Sequence, residues 1–258
     1  SNKSYYLQPS ASFNMHKGKW DFYAFGSNTW TIKDKGYVNS TRIYENEENK
    51  FESHGDINDP SNNINVCTGA FYSIDSLSNI GAEFGYFHNY NNMKTNSYSS
   101  LTDATNTYNS NAEYSQKMSF NMLSGSVNYN RKFGNKGSIL KFMADYVKKE
   151  SYNNDFYNIL YLWNKSDTIY KSHLTSIYSI ASADLSYRNV YSPSTYMQTG
   201  VKFTTTQMCN NNGYQSFYDN TWLSLPAFDY SSKYNEYVWA GYAEICSNIK
   251  NWQILAGL

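Results

Sequence analysis

Apolar and polar residues alternate along most of the chain with a period of two, in runs long enough to be strands, and no helical period persists. From Lys19 to about Ile32, Trp20, Phe22 and Ala24 share one phase, with Asp21 and Ser27 on the other. From about Asn79, Ile80, Ala82, Phe84 and Tyr86 oppose Gly81, Glu83, Gly85 and Asn89. After Gly137, Leu140, Phe142, Ala144 and Tyr146 oppose Lys141 and Asp145. Between His173 and Asn189, Ile177, Ala181, Ala183, Leu185 and Tyr187 oppose Ser182, Asp184, Ser186 and Arg188. Met197, Val201 and Phe203 then oppose Gln198, Gly200 and Lys202, and Trp239, Gly241, Ala243 and Ile245 oppose Tyr242 and Glu244. With runs near Tyr6–Phe13, Asn65–Ile74 and Leu123–Phe133 and a start at Trp252, the pattern predicts about ten strands. Charges inside the runs fall on the polar phase, so a one-residue slip would turn them all to the apolar face; the register is well specified. A soluble sandwich would alternate in the same way, and alternation alone leaves both architectures open.

The connections separate them. Tight turns rich in Gly, Asn, Ser and Pro are predicted at His16-Lys17-Gly18, Asp75-Ser76-Leu77-Ser78, Gly134-Asn135-Lys136-Gly137, Tyr191-Ser192-Pro193-Ser194 and Lys250-Asn251. Long connections lie between them, at about Asp34–Asn63, Asn92–Gln116, Glu150–Ser172 and Asn210–Glu236. Strict alternation of short and long is what an up-and-down barrel across an outer membrane produces, with short periplasmic turns and long extracellular loops. Compact soluble domains rarely hold several connections this long. Strand length points the same way. Runs of about 10–15 residues at about 3.3 Å each, tilted about 45°, cover an apolar band of about 25 Å. Trp20, Tyr146, Tyr187 and Trp252 stand near the ends of runs, where interfacial girdles lie. The expected fold is therefore all-β: an antiparallel up-and-down transmembrane β-barrel, about ten strands of a larger barrel.

Composition sharpens this picture. Aromatics make up 18% of the 258 residues, led by 27 tyrosines, and an apolar ring with a polar tip suits a surface that is half lipid and half water. Lys+Arg and Asp+Glu both number 21, so charge gives no reason to expect a nucleic-acid partner. Mean hydropathy is −0.68 and no apolar run reaches helical-span length, which excludes helical membrane spans and leaves a barrel untouched. No signal peptide is visible.

Two stretches carry a family resemblance. Val238 to Leu258 (VWAGYAEICSNIKNWQILAGL) resembles the late-barrel hairpin of TonB-dependent receptors, in which a YAE strand, a Lys/Asn turn and a W-x-(I/L)-x-A-G-(L/V) strand follow one another. Ser124 to Tyr146 looks like a hairpin of the outer-membrane β-barrel family of Bacteroidetes receptors. The resemblance implies a bacterial outer-membrane location and a larger receptor, with a plug domain inside a barrel of about 22 strands. Neither plug nor energy-coupling box is visible here, and residues 1–258 are expected to be an internal piece of the barrel domain. The partners implied are outer-membrane lipid, a small nutrient ligand at the extracellular loops, and a TonB-type energy-coupling protein acting through the plug.

No enzyme or cofactor signature emerges. P-loop, G-x-S-x-G and G-x-G-x-x-G patterns are missing. His16, His54, His88 and His173 are scattered at loops or strand ends and read as solvated surface. Glu83, Asp145, Asp184 and Glu244 fall on the lumen phase, where pairing with Lys141, Arg188 or Lys202 is expected. Asp56, Asn58 and Asp59 have the composition of a calcium loop without its spacing or closing Glu, and no metal site is expected. Cys67, Cys209 and Cys246 lie far apart and read as structural thiols.

The function expected is uptake of a nutrient, such as an iron chelate, oligosaccharide or peptide, and not catalysis. The connection from Asn210 to Glu236 is the most aromatic of the long ones, and Tyr214, Tyr218 and Trp222 are its candidate ligand-binding residues. The alternatives are a plug-less structural or adhesive outer-membrane barrel and a secreted soluble all-β protein that stacks tyrosines on glycans.

Overall fold

The computed structural model describes residues 3–44, 49–249 and 252–258; the turn expected at Lys250-Asn251 lies outside the described residues. Strands β1 (Lys3–Leu7) and β2 (Ser10–Lys17) form one interrupted strand against β3 (Trp20–Tyr44). A second interrupted strand, β4 (Asn49–Asn58) and β5 (Ser61–Ser73), lies between β3 and β6 (Ser78–Thr102). Then come β7 (Thr107–Phe133), β8 (Ser138–Tyr161), β9 (Ser166–Ser192) and β10 (Thr195–Tyr218), each antiparallel to its predecessor. Short β11 (Thr221–Ser224) and long β12 (Tyr230–Ile249) both return along β10, and β13 (Trp252–Gly257) pairs with β12. Among the described residues this is one sheet, running from β1 to β13, with those two strands at its edges.

Proline explains both interruptions. Pro9 and Pro60 have no N–H to give the ladder. Their carbonyls still accept, from Asn28 at 3.0 Å and Asn92 at 3.1 Å, so the sheet stays continuous. Opposite Pro60, β3 carries an extra residue near Ile32: its register slips by one against β1 and again between β4 and β5.

Turns at the short rim follow the expected chemistry. Gly18, Gly134 and Gly137 adopt φ of 63°, 62° and 86°, which a side chain resists. Asp75 accepts the Leu77 N–H at 2.8 Å, and this bond holds its carboxyl below the usual range. The four long connections differ from expectation. They are mostly continuations of the strands: residues 103–106, 162–165 and 219–220 turn the chain at three of the far tips, and 225–229 join β11 to β12. The stretches rich in Asn, Ser, Thr and Tyr lack an apolar phase because both their faces are wet, yet their backbone groups pair in the ladder. Asp219 and Asn220, with φ of 45° and 62°, make the two-residue turn that fixes β10 against β11.

The register shows where the apolar phase goes. One lateral row reads Phe22, Ala70, Ala82, Val127, Ala144, Ala183, Phe203 and Trp239, with no polar side chain across eight strands. The next row toward the short turns joins Trp20, Ile80, Phe142, Leu185 and Val201. Trp20 stands two residues past Gly18, Phe142 five past Gly137 and Val201 seven past Ser194, so the strands slant steadily across the rows, as tilted barrel strands do. Among the described residues no second layer covers this face. Trp239 is 76% exposed, Tyr237 63% and Val201 56%, and among the described residues the one buried apolar side chain is Cys246. A soluble sandwich would bury these rows in its core; here they form an open apolar surface that demands lipid.

Residues 1–258 produced alone are expected to need detergent, because the apolar face and both sheet edges are open. Size-exclusion chromatography without detergent should find aggregate. A monodisperse, cooperatively unfolding monomer there would contradict the membrane assignment.

Candidate functional site

Beyond the apolar rows the polar phase continues up the long hairpins and builds a wall. Tyr114 on β7, Tyr157 on β8 and Tyr170 on β9 are direct cross-strand partners, and their ring centres lie 4.5 and 4.4 Å apart. One row toward the membrane, Gln116, Asp155, Ser172 and Tyr214 stand side by side. Asp155 anchors the arrangement. Its Oδ1 accepts from the Tyr114 hydroxyl at 2.8 Å and Gln116 Nε2 at 3.0 Å, and its Oδ2 from Asn153 Nδ2 at 2.9 Å and the Ser172 hydroxyl at 3.2 Å. Burial, then the Asp155 carboxylate, pushes the Tyr114 hydroxyl up, so it stays a donor. Tyr214 completes the wall, its ring edge-on to Phe228 at 6.0 Å and its N–H bonded to Asp229 at 2.7 Å. Below lie amides: Ser176 donates to Asn210 at 2.6 Å, and Asn91 to Asp59 at 3.2 Å. The Oδ1 atoms of Asn89, Asn91 and Asn153 are buried without a protein donor.

The three residues expected from the sequence divide. Tyr214 belongs to the wall. Tyr218 shares its phase but ends β10, 72% exposed at the hairpin tip. Trp222 is on the other face, opposite Phe217 at 5.2 Å with Lys171 Nζ 4.0 Å from its ring centre. Tyr114, Asp155, Tyr157 and Tyr170 were not anticipated; extending the lumen phase of Asp145 by steps of two reaches Asp155 and Tyr157.

Other expected chemistry is rearranged. His16 lies at the end of β2, as expected, whereas His54, His88 and His173 lie within strands, and each bonds the residue directly across: His16–Asp21 at 2.6 Å, His54–Asn39 at 2.5 Å, His88–Asn121 at 2.7 Å, His173–Asn154 at 2.6 Å. The four lumen-phase carboxylates are held by hydroxyls instead of Lys141, Arg188 or Lys202. Glu83 meets Tyr23, Asp145 Ser182 at 3.4 Å, Asp184 Tyr242 at 3.4 Å, and Glu244 Tyr196 at 3.2 Å. Arg188 forks onto Gln198 at 3.0 and 2.9 Å. Tyr23 reaches Glu83 across Gly69, which stands between them in the ladder beneath the Tyr23 ring. Asp56 and Asn58 share a face that Asp59 does not, and among the described residues no metal-ligand cluster forms. The three cysteines are free thiols.

The model of the outer membrane protein beta-barrel family matches residues 131–258. The sheet is bacterial outer-membrane β-barrel. Its short-turn rim is then periplasmic, its apolar face lipid-facing and its polar face the lumen side. No curated protein matches the chain. Among solved structures, the ferric yersiniabactin uptake receptor FyuA from Yersinia pestis is similar at 9% identity and a TM-score of 0.35, over 100% of this chain and 46% of that one. The siderophore receptor PiuA from Acinetobacter baumannii is similar at 9% and 0.35, over 100% and 49%. The chain thus spans about half the length of these two receptors.

Proposed function

We propose that this chain is barrel wall from a nutrient-uptake receptor of TonB-dependent type, and that the ligand is held on the lumen face of the protruding hairpins. The observation that carries the reading is the tyrosine row 114–157–170 over the four-times-bonded Asp155. Stacked rings offer broad contact at little entropic cost, and the rigid carboxylate keeps them in place. Rings and hydroxyls suit an oligosaccharide better than a highly charged iron chelate or a charged peptide. The Val238–Leu258 hairpin supports the receptor class, and through it a plug and an energy-coupling partner in the whole protein.

The test uses cells displaying the whole receptor, offered labelled oligosaccharides, ferric chelates and peptides. Saturable oligosaccharide uptake that stops when the proton gradient is collapsed is expected. Replacing Tyr114, Tyr157 and Tyr170 together by serine should lower it at least about tenfold at equal surface display. Unchanged uptake in that variant would remove the site; uptake indifferent to the gradient would favour a plug-less barrel.

A further inference from the structure

The hairpin of β8 and β9 ends in a second aromatic group. Trp163, in the turn of residues 162–165, stands edge-on to Tyr108 with ring centres 5.4 Å apart and tilts against Tyr161 at 4.8 Å. Tyr108 is in phase with Tyr114 on β7, and Tyr161 with Tyr157 on β8, so this group shares the lumen face with the tyrosine row. Half of the Trp163 surface is exposed.

The indole is not what shapes its turn. The Leu162 N–H donates to the Asn109 carbonyl at 2.9 Å, and Asn164 Oδ1 accepts the N–H and hydroxyl of Ser166 at 3.1 and 2.7 Å. The facing tip is held by Asp103, whose Oδ1 accepts the N–H groups of Thr105 and Asn106, both at 2.7 Å. Two hydrogen-bonded tips thus hold a large ring in place before any ligand arrives, and little ordering remains to oppose binding.

Between the two aromatic groups the lumen phase is low and neutral. Ser110 and Ala112 on β7, Ile159 on β8, and Ser166 and Thr168 on β9 are all shorter than the rings. No Asp, Glu, Lys or Arg falls on this phase from Tyr108 to Tyr114, from Tyr157 to Tyr161 or from Ser166 to Tyr170. Tyr161 is four residues beyond Tyr157, about 13 Å at about 3.3 Å per residue. This distance runs along one strand and does not depend on its tilt.

We propose that Trp163, with Tyr108 and Tyr161, is an outer subsite that stacks on one sugar while the tyrosine row holds another sugar of the same chain, so that the receptor selects neutral oligosaccharides by length. A disaccharide is too short to touch both groups, and a hexasaccharide spans them. Ser110 and Ser166, directly across from Tyr161 on either side, offer hydroxyls to the outer sugar. A chain held at one group meets the other at high effective concentration, so reaching both gains more than either gives alone. The subsite rests on the proposed oligosaccharide function and adds a length rule to it.

Purified full-length receptor in neutral detergent is titrated with neutral glucan, mannan and galactan fragments, each as a disaccharide and as a hexasaccharide. For the sugar that binds, the hexasaccharide should bind at least about tenfold more tightly than the disaccharide. Trp163→Ala should bring the hexasaccharide down to the disaccharide's affinity and leave the disaccharide within about twofold. Trp163→Phe, which keeps a ring, should retain most of the length preference, and Tyr157→Ala should weaken both fragments. Heat-dependent gel mobility reports that the barrel is folded, and limited proteolysis that the tips are ordered. Equal affinity for the two lengths in wild type, or an equal loss of both in Trp163→Ala, overturns the outer subsite and leaves the tyrosine row in place. If no fragment binds at either length, or if both are indifferent to Tyr157→Ala, the proposed function fails and the outer subsite with it.

Discussion

Ala144→Arg in the assembled barrel is expected to cost about 2–4 kcal/mol of folding free energy, while Asp145→Asn, one residue along β8, costs well under half of that. Ala144 stands between Val127 and Ala183 in a row that stays apolar from Phe22 to Trp239. A guanidinium there has no acid on its own row and must reach for the interface through lipid. Asp145 points the other way, accepting from the Ser182 hydroxyl at 3.4 Å, and an amide in its place keeps an acceptor in a wet lumen. Reversible urea unfolding of the whole barrel in lipid vesicles measures both. Comparable losses at the two positions would mean that the facing of β8, and with it every row tied to it by register, is wrong.

That comparison could be written from the sequence because alternation with a period of two is local: Leu140, Phe142, Ala144 and Tyr146 announce their face without knowledge of their neighbours. The short turns were legible for the same reason, since Gly134 and Gly137 occupy the positive-φ positions that their residue type suggests. The long hairpins were not. From Asn92 to Gln116 polar side chains occupy both phases, and the evidence that this stretch is strand is its pairing, Lys94 with Ser115 and Tyr98 with Asn111, which a single chain segment does not display. Asp155 was invisible as an anchor for a related reason: its four donors come from β7, β8 and β9. The lumen carboxylates were assigned the wrong partners because opposite charge was weighed and reach was not. Asp184 faces Lys202 directly across the ladder, yet its bond goes to the longer Tyr242 one strand farther on.

The same limit separated Trp222 from Tyr214 and Tyr218, and it sets the second large effect. Tyr157→Ala is expected to weaken the transported ligand by about 2 kcal/mol or more, roughly thirtyfold in apparent affinity. Tyr157 is the middle ring of the row, 4.5 Å from Tyr114 and 4.4 Å from Tyr170, so its loss breaks two ring pairs, each contributing about 0.5–1.5 kcal/mol to the rigidity of the wall. Trp222→Ala removes a larger ring from the same pair of hairpins, but the two-residue turn at Asp219 and Asn220 places it opposite Phe217 on the outward face. Its removal should free Lys171 and leave uptake within about twofold of wild type. Apparent affinity measured in cells with matched surface display decides between the faces, with limited proteolysis to show that both hairpins stay ordered. A thirtyfold loss at Trp222 with none at Tyr157 would move the ligand to the outward side of β10 and β11 and leave the tyrosine row a packing device that stiffens the tall hairpins.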